Sequence, residues 1–310
     1  MSLFFITFEA IAILLAIGVI GFIVISKNVL PLKALDVLAP LIIDISIPAL
    51  IFVNILTKFN PEKFTGWYTR PLWWIGYTIL ILLFTLIVGK FIKVPEFQLG
   101  LLYPNSIFIP LAIIPVIFPS TSNMLVELFI FTILSPVFVF NSYFYFFKQK
   151  GSFNWKKLFN PIFISTILSI FLVLVGLDGY IPNIVIKVSK MLGVLALPLI
   201  MILIGGNIYV DFKRRGKIKL KLLLLFLLLR NIIFPIIILI LLYFIKPETN
   251  IAFLIFLMTI VPPLTAIPII VERAKGDTSI ANQFVVSSLI ISIVTIPTWL
   301  AIFNKFFDFL

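Results

Sequence analysis

The sequence predicts an all-α integral membrane protein of ten transmembrane helices, built as two inverted five-helix repeats in which helices 4 and 9 are broken. Three observations carry that reading. Of 310 residues, 62% are hydrophobic and 12% charged, whereas a soluble domain is about 45–50% apolar and about 25% charged. Mean hydropathy is +1.24, an excess that a water-exposed surface cannot absorb without large apolar patches. Two of the apolar runs carry paired prolines at matching places.

A membrane helix needs about 20 apolar residues. The runs drawn on that length are 4–25, 34–57, 71–92, 97–118, 123–147, 158–178, 183–209, 219–245, 250–271 and 278–306. The first is longer than the apolar region of a signal peptide and lacks a basic leader and a cleavage site, so it reads as a retained helix. Residues 1–148 form the first repeat, 149–157 a linker and 158–310 the second repeat. An odd number of crossings per half makes the second half enter from the opposite side, which is the arithmetic of an inverted repeat.

Lys and Arg are unevenly distributed. One set of alternate loops holds sixteen of them, from Lys27 and Lys33 to Arg273 and Lys275; the other set and the C-terminal tail hold five. The richer set belongs on the cytoplasmic side. That places both termini outside the cell membrane and the linker inside. The net charge of +12 is thereby read as topology-setting loop charge, and no nucleic-acid partner is expected. With neither cysteine nor histidine, there is no thiol chemistry and the commonest metal ligand is missing. No paired catalytic acids, nucleophile with base or phosphate-cradling glycine loop is present. Neither an enzyme nor a cofactor or bound metal is expected.

The fourth run contains Tyr103-Pro104-Asn105-Ser106-Ile107-Phe108-Ile109-Pro110, and the ninth Val261-Pro262-Pro263-Leu264-Thr265-Ala266-Ile267-Pro268. In each, two prolines lie six residues apart near mid-span. Proline has no N–H and clashes with the carbonyl four residues back, so carbonyls of Gly100, Ser106, Met258, Thr259 and Leu264 lose their helical donors. In hydrocarbon, protein, water or ligand must satisfy such groups, and unwound stretches at corresponding places of two halves point to a transport site. The half-helix after each break presents free N–H groups and a positive dipole end, which suits a carboxylate. Pro48 and Pro198 form a weaker matched pair in the second and seventh runs.

The chain resembles the auxin efflux carrier family, within the bile acid/auxin/arsenite transporter superfamily. The stretches that carry the resemblance are Val261-Pro262-Pro263, the charged turn Glu272-Arg273-Ala274-Lys275-Gly276-Asp277, Ile296-Pro297-Thr298-Trp299, Asn160-Pro161, Leu197-Pro198 with Gly205-Gly206, Leu229-Arg230, and Ile47-Pro48 with Asn60-Pro61. The fourth run departs from the family pattern: Ile109-Pro110 follows Asn105-Ser106 closely and the usual glycines are missing. A compact, prokaryotic-type member is implied, since the long cytoplasmic loop of many plant members is absent. The resemblance implies a scaffold of helices 1, 2, 6 and 7, and a mobile domain of helices 3–5 and 8–10. It further implies broken helices that cross at the substrate, a homodimer and an elevator-like movement.

The expected function is secondary transport of a small organic anion, auxin-like or a mono- or dicarboxylate such as malate or malonate. The alternative is a sodium-coupled symporter resembling the bile acid carriers. Asn105 is the leading candidate for substrate binding, because an amide offers donor and acceptor without burying a charge. Thr265 would add a hydroxyl from the opposite half. Pro104, Ser106, Pro110, Pro262, Pro263, Asn54 and Glu127 complete the candidate set. Ionisable groups inside spans default to functional hypotheses. Asp44, Glu127 and Arg230 are accordingly candidates for coupling or gating.

Overall fold

The structure, a computed structural model, describes residues 3–119, 122–149, 159–213 and 219–307. Regular secondary structure among the described residues is helical. In chain order the helices are α1 (Leu3–Ser26), α2 (Lys33–Lys58), α3 (Trp67–Phe91), α4 (Pro95–Leu102), α5 (Phe108–Ile117), α6 (Met124–Phe146), α7 (Pro161–Leu174), α8 (Asn183–Val210), α9 (Leu220–Ile245), α10 (Thr249–Ile260), α11 (Ile267–Arg273) and α12 (Thr278–Phe307). Seven of them (α1, α2, α3, α6, α8, α9 and α12) are long and apolar enough to cross a membrane. The expected fourth and ninth spans are each split, α4 from α5 and α10 from α11.

The sixth expected span is shorter than its apolar run. The apolar run extends to residue 178, but α7 ends at Leu174 because Gly176 turns left-handed, with φ +72°. The Leu177 N–H then donates to Leu172 O at 2.8 Å and the Gly176 N–H to Val173 O at 3.1 Å, the paired bonds by which a glycine closes a helix. The expected linker 149–157 lies outside the described residues except for Gln149, whose side chain donates to Ala274 O at 2.8 Å.

Prolines shape the long helices. In α9 a π-helical stretch, Leu229–Ile233, precedes Pro235. Pro235 cannot donate to Asn231 O, and the indole N–H of Trp299 takes that acceptor at 2.8 Å. In α2 a π-helical stretch, Leu41–Ser46, lies between Pro40 and Pro48.

Helices meet where small residues let them. A Cβ on Gly205 would overlap the backbone of Gly18, and one on Gly21 would overlap that of Ile202, so α1 and α8 touch main chain to main chain. A Cβ on Gly193 would stand 2.8 Å from Leu50 Cα, which brings α8 onto α2. The Ser165 hydroxyl donates to Pro48 O at 2.6 Å and ties α7 to α2. Elsewhere aromatic rings fill the space: Phe97 of α4 meets Phe226 of α9 edge-on at 5.2 Å, and Phe226 stacks on Phe284 of α12 at 4.3 Å.

Candidate functional site

The two breaks meet. Residues 103–107 and 261–266 run antiparallel, with Pro104 opposite Pro263. The Asn105 N–H donates to Pro262 O at 2.9 Å, and the Leu264 N–H to Tyr103 O at 2.8 Å. In an antiparallel pair, alternate facing residues exchange no hydrogen bonds with each other. Pro104 and Pro263 occupy such a pair, where a missing N–H leaves no vacancy. Had Pro104 faced Pro262 instead, one of the two bonds would have required an N–H from Pro263.

Around this crossing the side chains are held from several directions. The Tyr103 hydroxyl bonds Ser142 Oγ at 2.8 Å, and Ser106 Oγ bonds Ser135 Oγ at 3.0 Å, both partners coming from α6. Asn105 is 1% exposed. Its Oδ1 accepts the Phe108 N–H at 3.2 Å, which ties the side chain to the first turn of α5. Its Nδ2 has no hydrogen-bond partner among the described residues. A buried amide rarely leaves its donor unused, because desolvating it costs about 1–3 kcal/mol.

A cavity of about 220 Å³ opens beside Asn105. Pro104, Asn105, Ser106 and Thr265 line it, with Ser135, Asn160 and Asn207. Most of the wall is apolar, including Ile43 of α2, Phe140 of α6, Leu203 of α8 and Ile269 of α11. Among the described residues, no Lys or Arg lines it. A second cavity of about 290 Å³ shares Asn207, Thr265 and Ile269 with the first, and extends to Lys33, Asp36 and Glu272. A third, of about 300 Å³ between α1, α8 and α12, is lined among the described residues by apolar groups and Ser292, which offer almost nothing to orient an acid.

The structure thus brings together Pro104, Asn105, Ser106 and Thr265. Pro262 and Pro263 form the crossing itself, and Pro110 sits in the first turn of α5. The other candidates stand elsewhere. Asn54 is buried in α2 and donates to Leu50 O at 2.8 Å. Asp44 is exposed on α2, one residue from Ile43 of the cavity wall. Arg230 donates to Val261 O at 2.8 Å. Glu127 takes the Arg70 Nε at 3.2 Å and the Asn250 Nδ2 at 2.7 Å, and Arg70 also reaches Glu248 at 2.9 Å. That cluster ties the starts of α3, α6 and α10. Asn160 and Asn207 were missed as cavity residues. Asn160 is visible in the sequence as the residue before a helix-opening proline, and Asn207 as the polar residue after Gly205-Gly206.

The charged turn after α11 is also built for position. The Asp277 N–H donates to Glu96 Oε1 at 2.7 Å, and Asp277 Oδ1 accepts the Ile280 N–H at 3.2 Å. A Cβ on Gly276 would meet Phe147 and Glu96. These bonds fasten the α11–α12 turn to the start of α4.

A family model described as membrane transport protein matches residues 145–300, half of the chain. The chain belongs to that family. The match includes the Val261–Ala266 break but not the Tyr103–Ile107 break. No curated protein matches the chain. The family and the long apolar helices together make it a multi-pass membrane transporter. In this transporter the crossing brings two breaks far apart in sequence, 103–107 and 261–266, to one polar point.

Proposed function

We propose that the transporter carries a small organic anion whose carboxylate docks on Asn105. The observation that carries this is the buried Asn105 Nδ2, unpartnered among the described residues, beside a cavity of about 220 Å³. A carboxylate oxygen would supply the missing acceptor. The start of α5 adds its dipole, and the Ser135 and Thr265 hydroxyls lie on the same wall. The apolar remainder of the wall suits the body of the acid, which favours an auxin-like or short-chain acid over one with a second charged group. Malate and malonate remain the comparison substrates.

The helices are read as ten crossings in two inverted halves, with α4–α5 and α10–α11 as equivalent broken spans. Under that reading α1, α2, α7 and α8 form the scaffold, which a second copy extends into a homodimer. The remaining helices move past it in an elevator-like step, in the cell membrane with both termini outside. Supporting this division, the cavity lies between residues of α2, α7 and α8 on one side and the crossing on the other. The second cavity reaches Lys33 and Glu272, on the side the basic loops assign to the cytoplasm.

The test is binding and counterflow of labelled indole-3-acetate, malonate and malate in proteoliposomes. Asn105→Ala should weaken binding of the accepted acid about 10-fold to 100-fold, the loss of one hydrogen bond to a charged group. Unchanged binding of every acid in the variant would remove Asn105 from the site.

A further inference from the structure

On the far side of the crossing strand, Arg230 stands on the π-helical turn of α9 and is 1% exposed. Ion pairs among the described residues join Arg70 to Glu127 and Glu248, and none involves Arg230. Its Nη2 donates to Val261 O, while Nε and Nη1 have no hydrogen-bond partner among the described residues. The Tyr77 hydroxyl of α3 lies beside the guanidinium and turns its oxygen dipole on it, short of a fully formed hydrogen bond. A guanidinium stripped of water and given no carboxylate has to be held by oriented dipoles.

Val261 supplies them. It caps the C-terminal end of α10, where unpaired carbonyls and the helix dipole create negative potential. The next carbonyl, that of Pro262, receives the Asn105 N–H. In carriers with broken helices, unwound carbonyls and half-helix C-terminal ends of this kind coordinate a coupling cation. Here a covalently attached cation already occupies the end of α10.

We propose that Arg230 is a built-in substitute for a coupling cation, fixing Val261–Pro263 in the shape that docks Asn105, so that the transporter works without sodium. This rests on the carrier reading above and assigns its coupling. Arg230 is a positioning residue, acting on the site through the main chain of Val261 and Pro262.

The main test needs no substrate. Apparent melting temperature is measured for the wild type, Arg230→Gln and Arg230→Lys, each in sodium, lithium and choline chloride. The wild type and Arg230→Lys should melt alike in all three salts. Arg230→Gln should melt lower in choline, and about 100 mM sodium or lithium should restore roughly 3 °C or more by binding the vacated end. Sodium-stabilised wild type overturns the proposal. So does an Arg230→Gln variant that no cation restores, since that is what a purely structural arginine would give. If Arg230→Gln does not fold, Arg230→Lys decides: indifference to sodium supports the proposal and sodium dependence overturns it. A second arm measures wild-type uptake of indole-3-acetate and malonate with and without a sodium gradient. Sodium-dependent uptake also overturns the proposal. If neither acid is taken up in either condition, the substrate reading fails and the melting arm still decides the role of Arg230.

Discussion

Arg70 and Glu127 provide a sharp energetic test, because three helix starts depend on one buried ion pair. Both side chains are nearly sealed, at 2% and 3% exposure, whereas Glu248 is 52% exposed. Arg70→Met leaves the Glu127 carboxylate buried with Asn250 as its one remaining donor among the described residues. Breaking a buried pair from one side costs about 3–5 kcal/mol. Glu248→Gln removes a solvated partner and should cost at most about 1 kcal/mol. In a chain of this size the first translates to a fall in apparent melting temperature of roughly 5–10 °C and the second to about 2 °C or less. The double variant Arg70→Met, Glu127→Leu should recover part of the loss, since neither charge is then left unpaired. The assay is thermal unfolding in lipid nanodiscs, with all variants at one salt concentration. Equal losses for Arg70→Met and Glu248→Gln would refute the reasoning, as would a double variant no better than Arg70→Met.

Other expectations follow from single contacts. Glu127→Gln should leave the affinity for the accepted acid within about twofold of wild type, because Glu127 does not line the cavity; equilibrium binding checks this. Gly205→Ala should lower the melting temperature by several degrees, since its Cβ has to push α1 off α8, an overpacking cost of about 1–3 kcal/mol or more. Gly76→Ala, in a helix with nothing near the added carbon, should be neutral or stabilising by up to about 1 kcal/mol. Trp299→Phe removes the indole donor to Asn231 O, which Pro235 cannot replace, and should cost about 1–3 kcal/mol, read in the same melting assay.

Much of this architecture is legible in the sequence because lipid and proline both act locally. Apolar runs separated by basic loops show where helices lie, and Pro104 and Pro262-Pro263 show where two of them break. What proline spacing leaves undecided is the partner of Pro104. That is settled by the tertiary requirement that Asn105 and Leu264 donate across the crossing. The end of α7 was missed because Gly176 sits inside an apolar run, where a single glycine looks tolerable until its φ is known. The cavity wall was half visible: Asn105 and Thr265 stood out beside prolines, but Asn160 and Asn207 reach the same cavity from helices distant in sequence. Glu127 looked like a site residue because an acid in an apolar span demands a reason. Its reason proves to be Arg70, which sequence offers only as one more residue at the start of a helix.

The most direct test of the site is Asn105→Asp. The substituted side chain keeps an oxygen for the Phe108 N–H, so α5 stays capped, while a buried carboxylate with no basic partner among the described lining residues should lower the melting temperature by several degrees without unfolding the protein. It replaces the free Nδ2 donor with a negative charge. Binding of an organic acid should therefore fall further than in Asn105→Ala, by about 100-fold or more, with an added like-charge penalty. A folded Asn105→Asp transporter that binds indole-3-acetate or malonate as tightly as the wild type would contradict the placement of the carboxylate at the crossing.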